Sequence, residues 1–507
     1  MIYNSHNNFY NVIQYKFFIF IIFIILLVFF LKNKIIDFIN IPELFDYKVQ
    51  ELKILIPKNK CHSCKITLFF VSKFRDGNTS NELDIKQIYL KDKNYFVTYY
   101  VDNPNYFIYN TFFREHGLIR SNYIYGKNNI FINLNNIFKR EQQSCNHLSE
   151  FQKVYQYISG DFIFKKDSLY KEYKSLKKKF NDDFNYMPET FNYPEDKDLI
   201  LNKFSKYRLD IDNLWLIKPT NKWAGEGIKF LNSIKSITYK EYIITKYLKN
   251  IALINGKKYD LRLYVLISGL KPLRIYFYKE GLVRIASEKY SITPNNIRNK
   301  YIHLTNTDVN KNNKKYVHPN NSSDENANMW NIFMYKKYLK EKHNIEWNYI
   351  LVKIKDIIIK TIISLQQNII KDNDKRNVSD TSFYNLLGFD ILLTDEFIPI
   401  LLEVNHSPAM FIYNNLQRTI KNNLLTDTLN LVGITPFSRK KNKPLYSPLF
   451  NINDKEINIK EALCELKRPR GDYELIFPLK LNIDIYNKYF INNSKENIQF
   501  WNKIKNN

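Results

Sequence analysis

The sequence predicts an α+β chain, and three observations predict it. The first is a hairpin pattern over residues 387–410, where apolar runs at 389–393 and 398–404 flank the polar turn Thr394-Asp395-Glu396. The second is a pair of alternating strands at 257–267 and 274–278, joined by a turn over 269–272. The third is a set of helical repeats between strands, at 165–180, 350–370 and 416–429.

Taken in order, the first element is an unbroken apolar run at 17–31, preceded by Lys16 and followed by Lys32 and Lys34. It is short for the roughly 20 residues of a membrane span, but Val12, Ile13, Ile35 and Ile36 extend it. No small-residue cleavage site follows. Residues 1–40 therefore read as a signal anchor, with the richer positive charge on its C-terminal side keeping the bulk of the chain in the cytosol. A buried hydrophobic helix or strand is the alternative. Residues 41–207 read as an N-terminal α/β domain, with strands at 66–71 and 95–101 and a helix at 165–180. Leu169, Tyr173, Leu176 and Phe180 share one face of that helix, and its lysines read as a solvated outer face, with a substrate-binding patch as the alternative.

The next strand, 214–218, ends in Lys218-Pro219, and a loop carrying Gly225 and Gly227 leads into a strand at 228–231. A lysine leaving a strand beside a glycine loop suits nucleotide phosphates, the amine as a point charge and the loop through its backbone N–H groups. The spacing is neither a Walker A loop nor a Rossmann fingerprint. Residues 242–248 form a strand whose end is suited to lie along an adenine. In 257–267, Lys258, Asp260, Arg262 and Tyr264 share one face and Leu261, Leu263 and Val265 the other, so the strand sits over solvent or a site. Residues 310–328 are rich in Asn, Lys and Ser and read as a flexible surface insertion; 329–342 and 350–370 read as helices.

In the hairpin, Pro399 lacks a donor and belongs in the loop or on an edge; the register that follows takes it as closing the loop. Leu393 then faces Ile400 and Asp390 faces Glu403, while Glu403 and Asn405 leave the same face of their strand. Two carboxylates and an amide oxygen converging on an apolar hairpin are costly to bury alone. As hard donors they suit Mg²⁺ shared with substrate phosphates. A helix containing Lys421 follows and stops at Gly433. Residues 435–507 form a basic C-terminal extension, opening with the run at 439–443.

The chain has 507 residues, 45% of them hydrophobic, which is material for two or three domains. Its formal charge of +26 favours an acidic partner: nucleic acid, anionic membrane or acidic polypeptide. Four cysteines exclude a disulfide scaffold. Cys61 and Cys64 have CxxC spacing without a second pair, and Cys145 and Cys464 stand alone, so reduced thiols are expected. The sequence carries no RNP, KH, zinc-finger or basic-zipper pattern, and nucleic acid is excluded as the partner on that ground.

These motifs, in this order, resemble the tubulin–tyrosine ligase-like family of amino-acid ligases. The resemblance runs through Lys165-Lys-Asp-Ser-Leu169, Met187-Pro-Glu-Thr190, Trp215-Leu-Ile-Lys-Pro219 with Gly225-Glu-Gly-Ile228, and Lys258-Tyr-Asp-Leu-Arg262. It continues through Glu280-Gly-Leu-Val-Arg284, His303-Leu-Thr-Asn306, Gly388-Phe-Asp390, Glu403-Val-Asn405 and the end at Ile476-Phe-Pro478. It implies an ATP-grasp fold, with residues 208–434 as its central and C-terminal lobes. It also implies roles. Lys218, Gly225, Lys246, Tyr247, Leu248, Lys258, Asp260, Thr305 and Asn306 would bind ATP. Asp390, Glu403 and Asn405 would bind Mg²⁺. Arg262 would steady the transferring phosphate, and Glu403 would share in catalysis. Arg284, His406 and Lys421 would meet the incoming amino acid.

The activity implied is ATP-dependent, ADP-forming ligation of free glutamate to glutamate side chains in the acidic C-terminal tail of tubulin, through an acyl phosphate. Asp260-Leu-Arg-Leu-Tyr-Val265 and Val404-Asn-His-Ser-Pro408 resemble the polyglutamylase branch. Two departures, Ala224 in the glycine loop and Thr307-Asp308 after His-Leu-Thr-Asn, keep glycine- and tyrosine-adding ligases as alternatives. A catalytically silent basic microtubule-binding protein and a ligase acting on a small metabolite are further alternatives. The setting implied is the cytosolic microtubule cytoskeleton, including a flagellar axoneme or basal body.

Overall fold

Strand alternation and helical spacing sort the described residues into four sheets, two small three-stranded ones and the two larger ones, with helices on their faces, that frame the site. The structure, a computed structural model, describes residues 52–57, 67, 68, 70, 72, 74, 75, 85–90, 95–101, 107–121, 130–132, 151–157, 164–319, 323–375, 381–438, 443, 444 and 456–506. All of them belong to one compact unit, Leu52–Asn507.

Helix α1, Lys166–Phe180, buries Leu169, Tyr170, Tyr173 and Leu176 and leaves its lysines from Lys171 onward outside. After it comes an antiparallel four-stranded sheet built from β1 (Thr190–Tyr193), β2 (Trp215–Pro219) and β3 (Tyr242–Lys246). Its order is Lys229–Phe230, β2, β3, β1. Trp215, Ile217 and Ile244 pack there against Ile200 and Phe204 of the helix Lys197–Phe204.

The larger sheet is centred on β4 (Lys257–Leu270) and β5 (Leu273–Ile285). Helix α2 (Trp347–Lys375) covers one face; its Ile350, Ile354, Ile358 and Ile362 recur at helical spacing in the core that also takes Leu261, Leu263 and Val265. Strand β6 (Phe383–Leu393) lies beside β4, and β7 (Pro399–Asn405) beside β6. Helix α3 (Asn415–Val432) covers the second face, where Leu424 and Leu429 meet Tyr264 and Leu266. The start of β6 pairs in parallel with Lys153–Tyr155, which joins the parallel strands Ile130–Ile132, Thr98–Val101 and Ile119–Arg120 to the antiparallel centre. The C-terminal strand Tyr473–Phe477 pairs with β5 on its other side.

Several expectations change. Of the two places open to Pro399 the edge is the one taken: it opens β7, which pairs with β6 alone, opposite Leu393 and does not close the loop. Leu392, not Leu393, faces Ile400; a bulge then takes up Leu402 and restores Asp390 opposite Glu403. Residues 329–331 form a strand before the helix Ile332–His343 begins. The segment at 310–328 is anchored at both ends: Asn310 is buried and accepts from Ser287 N at 2.9 Å, and Asn328 donates to the Ala286 carbonyl at 2.8 Å. Cys464, expected as a reduced thiol, is disulfide-bonded. The apolar run at 17–31, the Cys61–Cys64 pair and Cys145 lie outside the described residues. No helix among the described residues is long and apolar enough to cross a membrane.

Candidate active site

Cross-strand pairing lays a row of charges along the large sheet. Asp260 on β4 sits opposite Arg284 on β5, Arg262 on β4 opposite Asp390 on β6, and Asp390 opposite Glu403 on β7. Arg284 donates through Nε to Asp260 at 2.8 Å, through Nη2 to the same carboxylate, and from Nη2 reaches Asp390 at 2.9 Å. Arg262 grips Asp390 with both ends of its fork, at 2.6 and 3.0 Å. Burial alone would raise the Asp390 carboxyl, but Arg262 and Arg284 outweigh it and hold Asp390 well below the usual carboxylate range.

The four-stranded sheet supplies the opposite wall. A cleft of about 970 Å³ between the sheets is lined by Lys218, Gly225, Lys246, Tyr247, Leu248, Lys258, Asp260, Arg284, Thr305, Asn306, Asp390, Glu403 and Asn405. Burial depresses the Lys218 amine, and it brings Lys258 down to about 7 with Lys218 adding to the effect. The glycine loop needs left-handed backbone at Gly225 (φ 82°) and Gly227 (φ 73°). A Cβ on Gly227 would also stand 2.8 Å from Pro219 and from the Tyr239 hydroxyl.

His406 lines a neighbouring cavity of about 1310 Å³ that shares Lys218, Glu403 and Asn405 with the cleft. Arg262 and Lys421 line neither space: Arg262 reaches the cleft through Asp390, and Lys421 is buried and donates to the Phe411 carbonyl. Burial, reinforced by Arg262, lowers Lys421 to about 7. Asp308, which stood against an acidic amino-acid substrate, is neutralised by Lys311 at 2.7 Å and accepts from the Tyr413 hydroxyl at 3.1 Å.

Three cleft residues were given no role of their own from the sequence. Lys166, read with the solvated lysines of its helix and quoted in the Lys-Lys-Asp step, lines both cavities and donates to the Lys222 carbonyl at 3.0 Å. Its signal was the Lys-Lys-Asp step at the start of α1. Trp223 also lines both and is 75% exposed, an unusual setting for the largest side chain. His303 lines the cleft beside Tyr247.

The donor set suits a hard cation. Asp390 and Glu403 bring carboxylates, and the Asn405 amide lies 3.1 Å from Glu403 and 3.5 Å from Asp390. That amide now donates its N–H₂; half a turn presents its oxygen instead. Two carboxylates with one amide oxygen, beside phosphate-binding lysines, fit Mg²⁺. No group of three or more His, Cys, Asp or Glu gathers for a metal among the described residues.

Comparison with known proteins identifies the family. The sequence model of the tubulin-tyrosine ligase family matches residues 142–442. The chain is similar to tubulin polyglutamylase TTLL5 of Homo sapiens, 34% identical over 305 residues, 59% of this chain and 23% of that protein. It is similar to tubulin polyglutamylase ttll-5 of Caenorhabditis elegans, 29% identical over 347 residues, 64% of this chain and 47% of that protein. It is also similar to tubulin monoglutamylase TTLL4 of Mus musculus, 33% identical over 291 residues, 56% of this chain and 24% of that protein. The chain thus spans less than half the length of each of these relatives.

Proposed function

This chain belongs to the tubulin-tyrosine ligase family, and on that premise we propose that it is an ATP-dependent ligase joining glutamate to glutamate side chains in the acidic C-terminal tail of tubulin. One observation carries the reading: phosphate-type lysines (Lys218, Lys258) and a hard oxygen set (Asp390, Glu403, Asn405) line a single cleft between two sheets. The names of the polyglutamylase relatives support glutamate as the added amino acid. So does the neutralised Asp308, which no longer opposes an acidic substrate. The charge of +26 suits an acidic acceptor, with Coulomb steering that weakens as salt is added. The cytosolic microtubule cytoskeleton is the matching setting.

A carboxylate is a poor acyl donor, because oxide is a poor leaving group. In the proposed reaction the acceptor carboxylate attacks the γ-phosphorus of ATP and ADP leaves. The amine of free glutamate then attacks the acyl phosphate, loses a proton and expels phosphate, leaving an amide. Lys218 and Lys258 carry the phosphate charge, and Arg262 steadies the transferring group beside Asp390. Asp390, Glu403 and Asn405 would hold Mg²⁺, which neutralises phosphate charge when bound. Lys246, Tyr247, Leu248, Thr305 and Asn306 border the nucleotide; Arg284 and His406 line the space for the incoming amino acid, and Lys421, bound to the Phe411 carbonyl, does not.

The test is incorporation of labelled glutamate, glycine or tyrosine into microtubules by the full chain with ATP and Mg²⁺, beside Glu403→Gln. Glutamate label that vanishes in the variant is the expected result. Label from glycine or tyrosine alone reassigns the amino acid. No label, with microtubule binding intact, overturns the ligase reading.

A further inference from the structure

Lys258 is buried in the wall of the cleft, and a hydrogen-bonded chain runs back from it. Its amine lies 3.3 Å from the Tyr247 hydroxyl and 4.4 Å from the Tyr247 ring centroid. The same hydroxyl is 2.9 Å from Nδ1 of His303. When charged, as it is beside a phosphate, Lys258 only donates, so the Tyr247 oxygen accepts from it and the 2.9 Å approach directs the Tyr247 proton to His303. Nδ1 must then be an unprotonated acceptor. Burial and the charge of Lys258 hold the imidazole down at about 4, so His303 is neutral at pH 7. Phe230 stands edge-on to both rings, 5.0 Å from Tyr247 and 5.2 Å from His303. The Tyr290 hydroxyl beside them donates to the Lys249 carbonyl at 3.0 Å, and its oxygen is a further hydrogen-bonding neighbour of the Tyr247 hydroxyl. Nothing in the ligation chemistry uses His303, yet the short helix Lys300–His303, capped by Asn299, presents it here.

We infer that His303 is a positioning residue: acting through the Tyr247 hydroxyl, it fixes the buried Lys258 amine in the cleft for an anionic phosphate of the nucleotide. The inference rests on the nucleotide reading of the cleft, and deepens it. The chain is directional. Removing the acceptor at His303 frees the Tyr247 proton to turn toward Lys258, which sets donor against donor and swings the amine away.

The test measures MgATP binding to the full chain by calorimetry, together with glutamate incorporation against ATP concentration. Tyr247→Phe keeps the ring and removes the hydroxyl; His303→Leu removes the acceptor; His303→Asn returns an oxygen near the place of Nδ1. The expected result is MgATP affinity about 10-fold weaker in Tyr247→Phe and in His303→Leu, and no weaker in the double variant than in either single one. His303→Asn should recover to within about twofold, and kcat at saturating ATP should change less than KM. Thermal melting without nucleotide checks folding; if His303→Leu does not fold, Tyr247→Phe and His303→Asn carry the test. Unchanged binding in Tyr247→Phe, or a loss in His303→Asn at least as large as in Tyr247→Phe, overturns the inference and leaves the nucleotide site standing. Wild-type chain that binds no MgATP overturns both.

Discussion

Arg262 and Asp390 are direct neighbours across β4 and β6, and the guanidinium holds both carboxylate oxygens, at 2.6 and 3.0 Å. Both side chains are nearly inaccessible, so the pair is a buried one. Removing one partner of such a pair strands the other. Arg262→Met should therefore lower stability by about 3 kcal/mol, near the low end for a broken buried pair because Arg284 remains beside Asp390. Activity should fall by about 10²–10³. Arg262→Lys keeps the charge but not the planar fork, and should recover stability more than activity. Denaturant midpoints and glutamate incorporation separate the two effects.

The same pair sets an acid limb. Asp390 has a depressed folded-state pKa, so its contribution is complete above the unfolded carboxylate value and lost as pH falls through that value toward the folded one. Asp390→Asn should be less stable than wild type at pH 7, and the gap should narrow as the pH falls below about 4. Equilibrium unfolding at both pH values checks this. A gap that stays constant would show that the carboxylate charge does not matter.

Lys258 and Lys421 tell the opposite story. Each is a buried amine brought down to about 7, so between 7 and the unfolded value of about 10.4 the unfolded chain binds more protons. Stability contributed by these sites should rise with pH across that window, and Lys258→Met should flatten part of the rise. Phosphate placed beside Lys258 favours its charged form, so MgATP binding at pH 7.5 should take up a fraction of a proton. Calorimetry in buffers of different ionisation enthalpy reads that uptake directly. Lys258→Met should abolish it.

How much of this was legible depended on what kind of signal each feature left. The charge row was readable because Asp260, Arg262, Asp390 and Glu403 interrupt apolar strands at regular intervals. The bulge at Leu402 was not, because a leucine in an apolar run looks the same paired or unpaired. The expected facing of Asp390 and Glu403 was right, although it rested on a loop that held Pro399; the misplaced proline and the extra residue offset each other. Asn310 and Asn328 were hidden by composition, since asparagine is common throughout this chain and nothing in the sequence marks which asparagines are buried. His303 was quoted within a motif, but its pairing with Tyr247 joins residues 56 apart in sequence and has no local periodicity.

Glu280 provides a separate test on β5, away from the cleft residues. Burial raises its carboxyl to about 7, with Lys336 partly opposing and Asp472 adding to the rise, and Oε2 lacks a hydrogen-bond partner. A raised acid is bound to its proton in the folded state between about 4 and 7, so stability is lost as pH rises through that window. Glu280→Gln should therefore be more stable than wild type by ~2 kcal/mol at pH 8 and indistinguishable from it at pH 4. Thermal melts at the two pH values decide it; equal gains at both would point to packing instead of charge.

Gly471 tests how the C-terminal segment is held. Asp427 on α3 is gripped by Arg75 through two 2.7 Å bonds and accepts from the Asp472 backbone at 3.0 Å. A Cβ on Gly471 would lie 2.0 Å from that carboxylate, and its φ of 55° already disfavours a side chain. Left-handed strain alone accounts for about 1 kcal/mol. Gly471→Ala should cost about 3 kcal/mol or more, because the clash also displaces Asp427 from Arg75. Asp427→Ala alone should cost a similar amount by stranding Arg75. If the clash is the mechanism, the double variant costs clearly less than the sum, since the methyl then has nothing to displace. Additive losses in denaturant unfolding would place the whole effect of Gly471→Ala in the backbone.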